Sequence, residues 1–354
     1  MLSHEEQKRY SKQTILPEIG TEGQEKLRSA KVLVIGAGGL GCPVLQYLAA
    51  AGVGMIGIAD GDIIEISNLQ RQVLYTEQEI GQKKVAIAEK RLKALNPHIK
   101  IQTYNVNIDN NNALEVMQEY DIIVDGSDNF PTRYLVNDAC VILNKPMVSG
   151  AIYKFEGQVS VFNYKNGPTY RCLFPEPPNA DESPNCADIG VIASLPGIVG
   201  AIQANEVIKI ITSYGEVLSG KLLVIDTLSM DTRFFNFKLN EANKNIKELK
   251  KTTFSCEVAI STIDYEELQT LMQKEPMQLV DVREKEEHEM GNIGGINIPL
   301  SQFASGYSLL DPNKKTVLYC SSGIRSNHFA KQLLQHGFTK IINLKNGINS
   351  LKMN

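Results

Sequence analysis

KVLVIGAGGLGCPVLQYLAAAGVGMIGIADGD, residues 31–62, reads as strand, glycine turn, helix and second strand. Val32–Ile35 is apolar and short enough for a buried strand, and Gly36, Gly38, Gly39 and Gly41 make the turn after it. The apolar helix that follows ends near Gly52, and a strand over Met55–Ala59 runs into Asp60. Glycines at this spacing allow a tight turn and close approach of backbone to phosphate. The helix N-terminus adds N–H groups and a positive dipole end. Asp60 stands nineteen residues past Gly41, near the spacing of a ribose-binding carboxylate. A nucleotide site follows from these residues. Which nucleotide does not, since a nicotinamide dehydrogenase begins the same way.

The 354 residues suffice for two domains, the first large enough for a doubly wound sheet. Hydrophobic and charged contents of 43% and 21% are those of an ordinary globular protein. A net charge of −4 supplies no basic surplus for phosphate neutralisation, so no nucleic acid is expected as partner. The polar N-terminus, MLSHEEQKRYSK, does not read as a signal peptide. The best apolar run, Val191–Ile202, is broken by Pro196 and Gly197, so no membrane span is expected. Six scattered cysteines do not form a disulfide framework. The expected location is cytoplasmic.

Outward from the opening stretch, residues 9–27 read as an accessory helical arm. Beyond Asp60 the polar run Asp62–Gln72 fits neither a core helix nor a strand. Gly81-Gln-Lys83-Lys84 opens a helix that Asn96-Pro97 stops, and strands are expected at Ile99–Tyr104 and Asp121–Val124. Asp125-Gly-Ser127-Asp128-Asn129 follows the last of these, where an open parallel sheet binds its ligands. A helix (Pro131–Leu143) and strands at Met147–Ile152 and Gly157–Tyr164 come next. The long polar loop between Tyr170 and Asp188 contains Cys186 and has the length of a functional loop. A helix (Ile198–Ile211) and strands at Lys221–Ile225 and Arg233–Leu239 close a first domain over residues 1–240. The polar stretch Asn240–Lys251 has almost nothing to bury and reads as linker, taken over 241–257. A smaller α/β domain over 258–354 has strands at Gln278–Val282, Thr316–Tyr319 and Ile341–Leu344.

Taken together, the glycine turn, Asp60, Ser67-Asn68-Leu-Gln-Arg71-Gln72, Lys84, Ser127-Asp128-Asn129 and Tyr170-Arg-Cys172 resemble the MoeB/ThiF/HesA family over residues 5–240. These are ubiquitin-activating-type adenylyltransferases acting on ubiquitin-like sulfur-carrier proteins. The resemblance implies ATP and magnesium, and joining of the carrier's C-terminal carboxylate to AMP. It implies that Asn68, Arg71 and Lys84 hold phosphates, with Asp62 and Gln72 beside them, that Asp60 holds the ribose and that Asp128 holds magnesium. Carboxylate attack on phosphorus gathers negative charge, so positioned cations are worth most in such a site. Arg71 and Lys84 alone would read as solvated surface charges, and Asp128 alone as a helix N-cap.

The chain departs from the family pattern at two places. The arginine that reaches a partner subunit's ATP site is Lys12 here, which keeps the charge of a homodimer contact without the bidentate fork. Two C-x-x-C zinc pairs are reduced to Cys172 and Cys256, too few ligands for structural zinc, so none is expected. By the resemblance these two thiols remain neighbours. Cys186 matches the family's loop cysteine, which links covalently to the activated carrier or accepts sulfur. Read without the family it is an unreactive loop thiol. Cys42 and Cys140 read as core.

The second domain resembles a rhodanese over residues 260–351. Asp281-Val-Arg283-Glu284 ends a strand, and Cys320-Ser-Ser-Gly323-Ile-Arg325-Ser326 joins a strand to a helix. Backbone N–H groups at that helix start would favour a thiolate or persulfide on Cys320, with Arg325 opening the helix. Asp281 and Arg283 read as an internal ion pair, and His288, His98 and His336 as surface or packing residues. The two domains together imply a two-step route. ATP activates a ThiS- or MoaD-like carrier, and a persulfide on Cys320, itself loaded by a donor such as a cysteine desulfurase, turns the carboxylate into a thiocarboxylate. Molybdopterin synthesis, thiamine synthesis and tRNA thiolation all fit this chemistry. A non-catalytic carrier-binding scaffold and an NAD-dependent oxidoreductase remain as alternatives.

Overall fold

The computed structural model describes residues 2–177, 190–249 and 260–350. They fall into two compact units, Met1–Thr252 and Thr253–Asn354. In the first, β1 (Lys31–Ile35), β2 (Met55–Ala59), β3 (Lys100–Tyr104), β4 (Ile122–Asp125), β5 (Met147–Tyr153), β6 (Glu156–Phe162), β7 (Lys221–Asp226) and β8 (Thr232–Asn236) form one sheet. Its order is β3-β2-β1-β4-β5-β6-β7-β8. Pairs up to β5 are parallel, and those from β5 to β8 antiparallel.

Successive residues of β1 serve opposite faces. Val32 and Val34 pack with Leu45 and Leu48 of helix Gly41–Ala51, Leu92 of helix Lys84–Leu95 and Val199 of helix Ser194–Thr212. Leu33 and Ile35 pack with Met117 of helix Ala113–Met117 and Tyr134 of helix Phe130–Ile142. Both faces are covered, and for that reason β1, β2 and β4 are unbroken apolar runs rather than alternating ones.

Two elements differ from expectation. The long helix starts at Ser194, not Ile198, because Pro196 and Gly197 sit in its first turn, where proline's missing N–H costs nothing. Of the stretch read as linker, the described residues up to 249 pack on the first unit: Leu249 joins the Tyr134 core, and Asn240 and Asn243 hydrogen-bond to Cys172; residues 250–257 lie outside the described residues.

The second unit has a five-stranded parallel sheet, β11-β10-β12-β13-β9. Its strands are β9 (Ser261–Ile263), β10 (Met277–Asp281), β11 (Ile296–Asn297), β12 (Lys315–Tyr319) and β13 (Ile341–Leu344). Phe329 and Leu333 of helix Ile324–Gln335 pack on Val280 and Leu318. Leu268 of helix Tyr265–Lys274 packs with Leu279 and Val317. The edge strands β9 and β11 are too short to carry a periodic signal. Among the described residues no helix is long and apolar enough to cross a membrane.

Candidate functional site

The register of β1 aligns Ile35 with Ala59 on one side and Asp125 on the other. Gly36, Asp60 and Gly126 therefore start their loops at one level on the carboxyl edge. The strand order reverses there, between β1 and β4, and such reversals leave a crevice for ligands. A cavity of about 880 Å³ occupies it.

Of the residues expected to bind nucleotide, Gly36, Gly38, Gly39, Asp60, Asp62, Arg71, Gln72, Lys84 and Asp128 line this cavity. Gly36 has φ +91°, and a Cβ there would lie 2.8 Å from the carbonyl oxygen of Gly126. Gly41, Asn68 and Lys12 are not part of the wall. A Cβ on Gly41 would approach the Gly36 carbonyl oxygen to 1.9 Å, so this glycine serves the packing of turn on helix. Asn68 Oδ1 accepts the Glu65 N–H at 3.2 Å within its own turn. Lys12 is exposed on the short helix Ser11–Thr14.

The carboxylate of Asp60 is buried. Its Oδ2 accepts the Ala37 N–H at 2.7 Å and its Oδ1 the Asp62 N–H at 2.8 Å, which ties the glycine turn to the loop after β2. Lys84 is buried too, and its Nζ donates to Asp62 Oδ2 at 2.8 Å. Arg71 Nη1 donates to the Ser67 carbonyl at 3.1 Å. Gln72 is buried with its Oε1 unpartnered among the described residues. An orphaned buried acceptor costs about 1–3 kcal/mol, which a donor on a ligand would recover. Asp128 is exposed on the wall, its Oδ1 3.4 Å from Asn129 Nδ2. The cap of helix Phe130–Ile142 is Asn129, whose Oδ1 accepts the Thr132 N–H at 2.9 Å, so Asp128 is not used in that role.

Beneath the cavity lies a buried network that the sequence reading missed. Asp125 accepts from Ser127 Oγ at 2.5 Å, Ser149 Oγ at 2.9 Å and Arg133 Nε at 3.2 Å. Arg133 Nη2 also donates to the Ser127 carbonyl at 3.0 Å, fixing the loop that carries Asp128. Burial opposes the Arg133 charge, but Asp125 and Tyr170 outweigh it and hold the guanidinium protonated more firmly than usual. An arginine in the apolar helix FPTRYLVNDACVI was the available signal.

Cys172 is half-buried, with its sulfur accepting from the N–H groups of Thr169 (3.4 Å) and Asn240 (3.3 Å) and from Asn243 Nδ2 (3.6 Å). Burial works to raise this thiol's pKa, but the Thr169 hydroxyl, 3.4 Å away, and those N–H donors lower it overall. Cys186 and Cys256, with the expected Cys172–Cys256 neighbourhood, lie outside the described residues. Burial pushes the Cys42 thiol up to about 12 and raises that of Cys140 as well, so both are inert core.

In the second unit Cys320 follows β12 and is buried. Its Sγ accepts the Gly323 N–H at 3.1 Å and lies 3.4 Å from Ser326 Oγ. Arg325 forms a two-pronged pair with Glu287, Nη1 to Oε2 at 2.6 Å and Nη2 to Oε1 at 2.7 Å. Ser321 Oγ contacts both. Asp281 and Arg283 make the expected buried pair, at 2.7 Å. His288 is not the bystander it was read as: its Nδ1 lies 2.8 Å from Asp281 Oδ2. Burial works to raise the Asp281 pKa, but the Arg283 and His288 hydrogen bonds hold it below its ordinary value.

A model of the ThiF family matches residues 10–256, and one of the rhodanese-like domain residues 264–354. A sulfur carrier protein adenylyltransferase of Thermus thermophilus is 52% identical over 241 residues, which are 67% of this chain and 89% of that protein. A probable molybdopterin-synthase adenylyltransferase of Porphyra purpurea is 43% identical over 98% of this chain and 93% of its own length. Among solved structures, E. coli MccB with ATP is 28% identical at a TM-score of 0.58, over 66% of this chain and 72% of that one.

Proposed function

The chain belongs to the ThiF family and carries a rhodanese-like domain, and we propose from that premise how its own residues divide the work of an adenylyltransferase and sulfurtransferase. The observation that carries the reading is the cavity at the strand reversal, where Lys84, Arg71, Gln72 and Asp128 converge beside the glycine turn. Family membership decides between nucleotides: ATP, not a nicotinamide coenzyme, is the co-substrate.

The glycine turn cradles the phosphates and Asp60 receives the ribose. Lys84 and Arg71 face the charge that grows as a carboxylate oxygen at the carrier's C-terminus bonds to the α-phosphorus. The bond to the β-phosphate breaks, and pyrophosphate leaves with its electron pair. Asp128, exposed on the cavity wall, offers the kind of ligand magnesium takes, a carboxylate oxygen. The ion would neutralise phosphate charge there. The adenylated carrier then meets a persulfide on Cys320, whose outer sulfur attacks the acyl carbon and displaces AMP, joining the carrier to Cys320 through an acyl disulfide. A thiolate, assigned to Cys186 in this reading, attacks the Cys320 sulfur; the S–S bond breaks, the thiocarboxylate leaves with the electron pair, and the Cys186–Cys320 disulfide that remains is reduced by an external thiol before the next round. Gly190 and Val191 line the nucleotide cavity and follow Cys186 by four and five residues, which supports that role.

The protein acts as a homodimer in this reading. Lys12 is absent from its own cavity wall, and Ile15 and Leu16, 75% and 48% exposed, give the same arm an apolar face. The substrate is a ubiquitin-like sulfur carrier and the sulfur source a persulfide donor such as a cysteine desulfurase. No structural zinc is needed, because Cys172 is satisfied by protein donors. Incubation with candidate carriers, ATP and a sulfur donor tests the whole: exchange of one oxygen for sulfur on one carrier names the substrate, and unchanged carriers in every case contradict the proposal.

A further inference from the structure

Arg325 is a cationic side chain near Cys320, of the kind an anionic sulfur donor would seek. It is close enough that a thiolate on Cys320 raises its pKa. Yet both of its Nη groups are engaged by the Glu287 carboxylate, at 2.6 and 2.7 Å, and Nη2 is braced at 3.1 Å by Ser321 Oγ. Glu284 also bears on the same guanidinium and is held by Ser301 Oγ at 3.1 Å. Arg325 thus stands with two carboxylates, one positive charge against two negative, while the neighbouring Arg283 is already neutralised by its 2.7 Å pair with Asp281. The loop residues between Cys320 and Arg325, Ser321, Ser322, Gly323 and Ile324, are uncharged, and Ile324 is 54% exposed. A doubly charged donor such as thiosulfate approaches a rim of its own sign.

We propose that Glu287 sets the donor specificity of the sulfurtransferase site, by pairing Arg325 so that an uncharged alkyl persulfide is accepted and a small sulfur oxyanion is disfavoured. The inference rests on the sulfurtransferase reading of Cys320. In the step it describes, the Cys320 thiolate attacks the outer sulfur of R–S–SH. The Cys320–S bond forms as the R–S–S bond breaks, giving Cys320–S–SH, and R–S⁻ leaves with the electron pair. No oxidant or reductant is required, and no charge beyond the incoming thiolate's own has to be held by the rim.

The test is loading of Cys320 in the full chain, followed by intact mass, from thiosulfate and from an uncharged alkyl persulfide. Glu287→Gln removes one negative charge at the rim and frees the guanidinium. That raises kcat/KM for thiosulfate by about tenfold, the effect of one charge on a dianion a few ångströms away in water, and leaves the persulfide rate within about twofold. Added salt speeds thiosulfate loading of the parent protein and has little effect on that of Glu287→Gln, whose remaining charges there cancel, a loss of salt dependence that a purely structural role would not produce. An unchanged thiosulfate rate, or equal losses with both donors, overturns the inference and leaves the sulfurtransferase reading standing. Failure of both donors to load the parent protein overturns that reading and the inference with it.

Discussion

Lys84 Nζ lies 2.8 Å from Asp62 Oδ2, with the lysine buried and the aspartate mostly exposed at the edge of the cavity. The pair holds a cation where phosphate charge would develop, without burying an anion beside it. Lys84→Ala is expected to lower ATP–pyrophosphate exchange by about 10²–10³, the usual cost of losing one such donor. Because Asp62 stays solvated, the unfolding free energy changes by about 1 kcal/mol or less. Exchange kinetics and a denaturation curve on the same variant check both halves.

Asp60 does two jobs, one structural and one for the ligand. Its oxygens accept the N–H groups of Ala37 and Asp62, so Asp60→Asn turns part of an acceptor into a donor facing two donors. Nucleotide affinity should fall by about tenfold, roughly 1.4 kcal/mol, as titration would show. Thermal stability should fall with it.

Gly36→Ala forces a side chain into φ +91° and toward the Gly126 carbonyl at 2.8 Å. The left-handed conformation alone costs about 1–2 kcal/mol. A lowered denaturant midpoint at an unchanged slope is the expected result.

The fold was legible where burial left one solution. Strands β1, β2 and β4 are buried on both faces, so their apolar runs marked them closely. The cavity wall was legible for the same reason, since the strand ends fix its loops. What escaped were side-chain pairs with no periodic signal. Arg133 finds Asp125 and His288 finds Asp281 where a helix turns back on the strand just before it, and Glu287 finds Arg325 across 38 residues of sequence. The polar stretch after Asn240 misled because its useful contacts, N–H donors to Cys172 and one leucine, carry no hydrophobic signal.

Glu287 bears on pH. The Arg325 hydrogen bonds hold its pKa at about 2, below the ordinary 4.5. A carboxylate depressed on folding stabilises above its unfolded pKa, and that contribution is lost as pH falls through the folded one. The second unit should therefore weaken between pH 4.5 and about 2. Glu287→Gln should flatten that part of an acid-unfolding profile.

Cys172 with its three protein donors predicts a protein indifferent to zinc. Dialysis against a chelator should leave its melting temperature unchanged, with zinc well below one atom per chain before treatment.

The division of labour between the two units is tested most directly by Cys320→Ala, assayed with ATP, a ubiquitin-like sulfur carrier and a persulfide donor. Carrier-dependent ATP–pyrophosphate exchange should continue at the parent rate while thiocarboxylate formation stops. Thiocarboxylate still forming in that variant, or exchange lost along with it, would contradict the account.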